Sequence, residues 1–248
     1  MASHFAWFLY SVLVFLACQD GAHSQNSEFD IQTLEDLSKK VELNGQFGVL
    51  FLPGKKQLKD VKCHSINYKN SNGVDGDCKF AGVAPNTNET LGIKETRRHS
   101  EWQLIYKALM PMLRKWKEAK SNKGDKINCP ESLYLYTRLA PDFSIWRAKR
   151  GYTCTQAIVC KIENIFRKAS CPKPRIVVGF SEVTTKVDKK VEKEYKKKAC
   201  MGYKVMLEHD ITEYHLTSQL PNKKFDCDDV KVKVPDLLPC AKVIKQTG

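Results

Sequence analysis

After residue 17 the chain contains no apolar run long enough to cross a bilayer. It contains no internal repeat and no clean linker, which leaves out solenoids and strings of small modules. Carboxylates are in short supply: 28 Asp and Glu face 41 Lys and Arg, for a net charge of +13. That balance excludes an acidic, solvating chain. It favours negatively charged partners such as nucleic acid, glycosaminoglycan or an anionic surface, although surface lysines also serve plain solubility. A hydrophobic content of 42% excludes wholesale disorder. The first residues carry no Lys or Arg. Even so, Phe5 to Ala17 is a short apolar run followed by Ala22-His23-Ser24, whose small residues at alternate positions suit a signal peptidase site before Gln25. Residues 1–24 therefore read as a signal peptide, with an uncleaved anchor as the rival. The chain is expected to be secreted and extracellular. Losing the leader removes Asp20 and no base, so the basic excess grows by one.

Of the ten cysteines, Cys18 lies in the leader and nine remain. A secreted chain keeps such a set as disulfides. Nine is odd, so one thiol stays free or joins another chain, and a disulfide-linked dimer is one outcome. Cys63 and Cys78 flank a polar turn rich in Gly and Asn and form the first expected pair. Cys227 and Cys240, in the Pro-containing tail, form a weaker second. Asn88-Glu89-Thr90 is a glycosylation sequon in a polar loop, which makes Asn88 the expected glycan site.

Periodicity orders the rest. Glu28 to Val41 carries Phe29, Ile31, Leu34, Leu37 and Val41 at mostly helical spacing, stopped near Asn44-Gly45. Phe47 to Leu52 is an apolar strand closed by Pro53-Gly54. Val61 to Tyr68 and Cys78 to Val83 read as two strands, or as one with a long excursion. His99 to Trp116 places Trp102, Ile105, Tyr106, Leu109, Leu113 and Trp116 on one helical face; Pro111 should kink it or remove one hydrogen bond. Leu133 to Tyr136 is a strand and Tyr152 to Ala169 a helix. Ile176 to Phe180 is an unbroken apolar strand suited to the middle of a covered sheet. Lys186 to Glu208 is a charged helix facing inward through Val191, Tyr195, Ala199, Met206 and Leu207. Glu213 to Leu216 is a short strand, and from Pro221 the tail is irregular. Late strands alternating with helices imply parallel crossovers: a three-layer α/β/α sandwich on a mixed five-stranded sheet, spanning 25–220, with a tail over 221–248.

His99-Ser100-Glu101 opens the second helix, and Ala140-Pro141 follows the third strand. This arrangement resembles the zinc-dependent cytidine deaminase-like superfamily, in which His-x-Glu is followed by Pro-Cys-x-x-Cys. The resemblance covers roughly Glu28 to Leu216. It implies that His99 is a metal ligand and Glu101 the proton shuttle. Asp142 and Ile145 stand where the two cysteines belong; Asp142 could donate an oxygen, and Ile145 cannot ligate. Cys154 and Cys160 are about 600° apart along a helix and share no face. Cys129 lies at the wrong end of its strand. All three are expected in disulfides.

The leading expectation is therefore a pseudoenzyme: a secreted, disulfide-bonded, basic glycoprotein on a deaminase-like scaffold. It would hold no cofactor and would bind a polyanion or a cell-surface protein. The candidate polyanion contacts are Arg147, Lys149 and Arg150, beside Trp146 and Phe143, together with Lys189, Lys190, Lys196 and Lys197. A solvated helix face is the simpler account of the last four. The alternative is an active or atypical zinc deaminase acting on a nucleoside or nucleic-acid base through Glu101.

Overall fold

The computed structural model describes residues 26–41, 43, 45–54, 56–66, 77–82, 99–121, 129–149, 153–184, 188–231 and 240–245. The leader, Asn88 and Arg150 lie outside these residues.

A first helix, α1 (26–39), precedes strands β1 (Phe47–Phe51), β2 (His64–Ser65) and β3 (Cys78–Gly82). Three consecutive segments, Ser100–Gln103, Leu104–Ala108 and Leu109–Ser121, form α2. After β4 (Ser132–Leu139) comes a short helix α3 (Ile145–Ala148). Helix α4 is again three segments, Cys154–Gln156, Ala157–Lys161 and Ile162–Lys168. Strand β5 (Arg175–Glu182), helix α5 (Lys189–Leu207), strand β6 (Thr212–His215) and helix α6 (Cys240–Lys245) complete the order.

The strands form one mixed sheet in the order β2-β3-β1-β4-β5-β6. β4, β5 and β6 are parallel, while β1 runs antiparallel to both β3 and β4. Alternation along the strands sorts the core onto two faces. Leu50, Leu133, Leu135, Ile176 and Val178 meet α2, α4 and α5. Val49, Phe51, Tyr134, Tyr136 and Val177 meet Leu34 and Leu37 of α1. Helices thus cover both faces of the sheet. On the α1 side Asp30, only 1% exposed, receives Tyr134 Oη at 2.8 Å and both Arg175 terminal nitrogens at 2.6 and 2.7 Å.

Several expectations need correction. The sheet has six strands, not five, because His64–Ser65 and Cys78–Gly82 are separate and pair in parallel. The Cys63–Cys78 bond joins their starts, as expected. Cys227 and Cys240 do not pair. Cys227 bonds Cys200 on α5, and Cys240 opens a helix beside α4 and bonds Cys160. The tail is therefore partly helical rather than irregular. Cys129 bonds Cys171, but Cys154 is a buried free thiol. At 5% exposure it is poorly placed to bridge to another chain. Leu207 points outward, 60% exposed. The helix runs through Pro111, which has no N–H to donate, as expected. Its ring would crowd the carbonyl of Lys107, and that residue lies in a π-wound segment, Leu104–Ala108, which opens the turn there.

Candidate functional site

The carboxyl ends of parallel strands are where open α/β sheets leave a crevice. There the chain leaves β4, passes through Ala140 to Thr153 and enters α4 at Cys154. Thr153 caps that helix by accepting the Gln156 N–H at 3.1 Å, and Gln156 Nε2 donates to the Ala148 carbonyl at 3.1 Å. Both bonds fix the first turn, and with it the thiol.

His99 occupies the N-cap of α2 without spending its side chain on a capping bond. Glu101, in the first turn, is fully buried, and Ser100 Oγ donates to its Oε2 at 3.1 Å. A nitrogen of His99, an oxygen of Glu101 and Sγ of Cys154 lie within 4.8 Å of one another. Two helix N-termini therefore converge on one cluster, with their free N–H groups and positive dipole ends aimed into it.

Close approach of glycine makes this convergence possible. A Cβ on Gly48 of β1 would sit 3.0 Å from Ser100 Oγ, so only a bare backbone lets α2 settle on the sheet at that point. A Cβ on Gly202 of α5 would meet the Pro141 carbonyl oxygen at 2.6 Å and Thr155 Oγ1 at 2.7 Å. Thr155 Oγ1 in turn donates to the Asp142 carbonyl at 3.1 Å, and Phe143 N–H donates to the Lys198 carbonyl at 3.2 Å. The Pro141–Phe143 stretch is thereby clamped between α4 and α5.

The cluster is electrostatically unsettled. Burial pushes the Glu101 carboxyl up; the His99 charge opposes that shift, and Asp142 adds to it. Burial also pushes the Cys154 thiol well up, reinforced by Glu101 and Asp142 and opposed by Arg147. Glu101 Oε1 is buried with no hydrogen-bond partner among the described residues, an expensive state for a carboxylate oxygen. An imidazole, a thiol and a carboxylate brought this close have the ligand chemistry of a transition-metal site such as zinc.

His99 and Glu101 are the two members of the cluster legible in the sequence. Cys154 is not, because the angle between Cys154 and Cys160 says nothing about what faces Cys154 from another helix. The odd cysteine count and the cap-forming Thr153 were the available signals. Among the basic candidates, Arg147 is half exposed with Nη1 3.7 Å from Asp142 Oδ2. Lys149 is exposed on the same loop. Lys189, Lys190 and Lys197 are exposed on α5, while Lys196 pairs with Asp229 at 2.8 Å. Phe143 is fully buried and serves as core. No family model, curated protein or solved structure matches the chain.

Proposed function

We propose that the chain is a metal-dependent hydrolase of the deaminase type, acting on an amino-bearing nucleobase or nucleoside. The observation that carries this reading is the convergence of His99, Glu101 and a disulfide-free Cys154 within 4.8 Å. A free thiol beside an unpartnered carboxylate oxygen, in a chain with four disulfides, is poorly explained by packing alone.

His99 and Cys154, whose nitrogen and sulfur lie within 4.8 Å of each other, would hold the metal, with Asp142, whose charge acts on both Glu101 and Cys154, proposed as the oxygen donor. Three protein ligands with one position left for water is the pattern of a catalytic zinc. When bound, zinc supplies a water acidified to near neutral pH. Glu101 is not needed as a ligand. Its burial raises its proton affinity toward the range useful for proton transfer at neutral pH. Its carboxylate would accept a proton from the attacking water and return it to the departing amine. Cys154 would serve as the sulfur donor in its thiolate form, the form that burial alone disfavours.

The test is elemental analysis of the purified chain after dialysis, followed by amine-release assays on nucleosides and on single-stranded nucleic acid. About one zinc per chain is expected, lost in Cys154→Ser and in His99→Ala. Glu101→Gln should keep the zinc and lose turnover. A wild-type chain without zinc would end this reading.

A second reading, a non-catalytic polyanion binder, is favoured by one observation. Lys189, Lys190, Lys193 and Lys197 are all exposed and fall within about 100° of arc on α5. Its signature is an affinity that falls steeply with salt.

A further inference from the structure

The last helix, α6, sits on a particular part of the molecule. Helices α2 and α4, which carry the cluster, each contain a π-wound segment, Leu104–Ala108 and Ala157–Lys161. Such segments are costly and concentrate at functional positions. Helix α6 is attached to both. Cys240 bonds Cys160, inside the α4 segment. Tyr106, inside the α2 segment, donates through Oη to the Val243 carbonyl at 3.0 Å. Lys161, at the end of the α4 segment, donates through Nζ to the Ile244 carbonyl at 3.0 Å. Val243 is fully buried between them. Lys161 Nζ lies 4.5 Å above the Tyr106 ring, and that ring stacks on Trp102 at 4.2 Å, one residue from Glu101.

We infer that α6 is a disulfide-anchored clasp that holds the two cluster-bearing helices in register, so that opening Cys160–Cys240 loosens the His99–Glu101–Cys154 cluster. A six-residue helix is far too short to persist alone, so its hold depends on that anchor. The bond closes a loop with a sequence separation of 80, and the contacts it secures are the two carbonyl hydrogen bonds and the buried Val243. A dithiol reductant would open it by thiol–disulfide exchange. Two electrons and two protons pass from the reductant, which leaves as its own disulfide, and Cys160 and Cys240 become thiols. Tyr106 and Lys161 then lose their acceptors, and the π segments lose their shared strut. Tyr106 and Lys161 are positioning residues, acting on the cluster through Trp102 and through α4. The inference rests on the proposed site only in taking that cluster as functional.

The test reads the thiol rather than any activity. The full chain is exposed to iodoacetamide under native conditions with chelator present, and alkylation at Cys154 is followed by peptide mapping. Cys160→Ala/Cys240→Ala should raise the Cys154 rate on the order of tenfold or more, at urea concentrations well below the unfolding midpoint. Tyr106→Phe/Lys161→Met, which keeps the disulfide, should raise it by a smaller factor. An unchanged rate in both variants would overturn the clasp. So would a rise that tracks global unfolding across urea. A chain without zinc ends the catalytic reading but leaves this readout intact, so the two failures are distinguishable.

Discussion

Asp30 offers the sharpest test of how α1 is held. Its carboxylate is 1% exposed and accepts four bonds: Arg175 Nη1 at 2.6 Å, Arg175 Nη2 at 2.7 Å, Tyr134 Oη at 2.8 Å and Tyr214 Oη at 3.3 Å. Asp30→Ala removes all four acceptor contacts at once. Breaking a fully buried ion pair costs about 3–5 kcal/mol. Arg175, however, has a side chain 43% exposed and can rehydrate, which discounts its share. Tyr134, 1% exposed, cannot, and a buried hydroxyl left without an acceptor costs about 1–3 kcal/mol. The expected loss is therefore about 3 kcal/mol, read from the urea midpoint at constant slope. A spectroscopic check accompanies it. Burial first, and the Asp30 charge second, push Tyr214 up to about 12, so the variant should ionise that phenol at lower pH. A loss below about 1 kcal/mol would refute the claim that this network fastens α1 to the sheet.

Two further outcomes follow from particular residues. Gly202→Ala should destabilise by about 1–3 kcal/mol, because its Cβ meets a backbone oxygen that cannot swing away. Cys154 alkylation should rise with it, whereas a neutral substitution would deny the clamp on Pro141. Glu213 is buried with Oε2 unpartnered among the described residues, and burial pushes its carboxyl well above the ordinary 4.5. Its folded form holds the proton more tightly than its unfolded form. Stability from this group is therefore complete below about pH 4.5 and is lost as pH rises toward the folded value, by up to about 1.4 kcal/mol per pH unit. Glu213→Gln should flatten that slope in urea melts between about pH 5 and pH 8, and an identical slope in both proteins would count against the assignment.

Legibility in the sequence followed the range of the forces involved. The helix over His99 to Trp116 could be read because Ile105, Leu109 and Leu113 repeat at the period of one helix, and all three are fully buried. The Leu133-Tyr134-Leu135-Tyr136 alternation likewise separates into leucines on one face of the sheet and tyrosines on the other. Cys63–Cys78 was legible because its partners are only 15 residues apart in the chain. Cys160–Cys240 was not, since its partners come together only after α6 docks on α4. Helix α6 itself is too short for periodicity to register. Cys154 was set aside by comparison with a cysteine on its own helix, while its partners His99 and Glu101 come from the other side of the crevice. A site assembled from two helix N-termini belongs to tertiary structure, and only its His-Ser-Glu half is continuous in the chain.

The two-residue β2 also bears on how the molecule behaves in company. Strand edges expose unpaired backbone groups that recruit other chains, and a long flat edge is an aggregation hazard. Among the described residues the sheet ends on this side in the two-residue strand His64–Ser65, and Cys63 is tied back to Cys78 on the neighbouring strand. An edge this short gives a second chain almost no ladder to extend. The covalent tie also resists the fraying that would lay β3 bare. In a crowded setting rich in partly folded neighbours, that border protects the sheet from templated association.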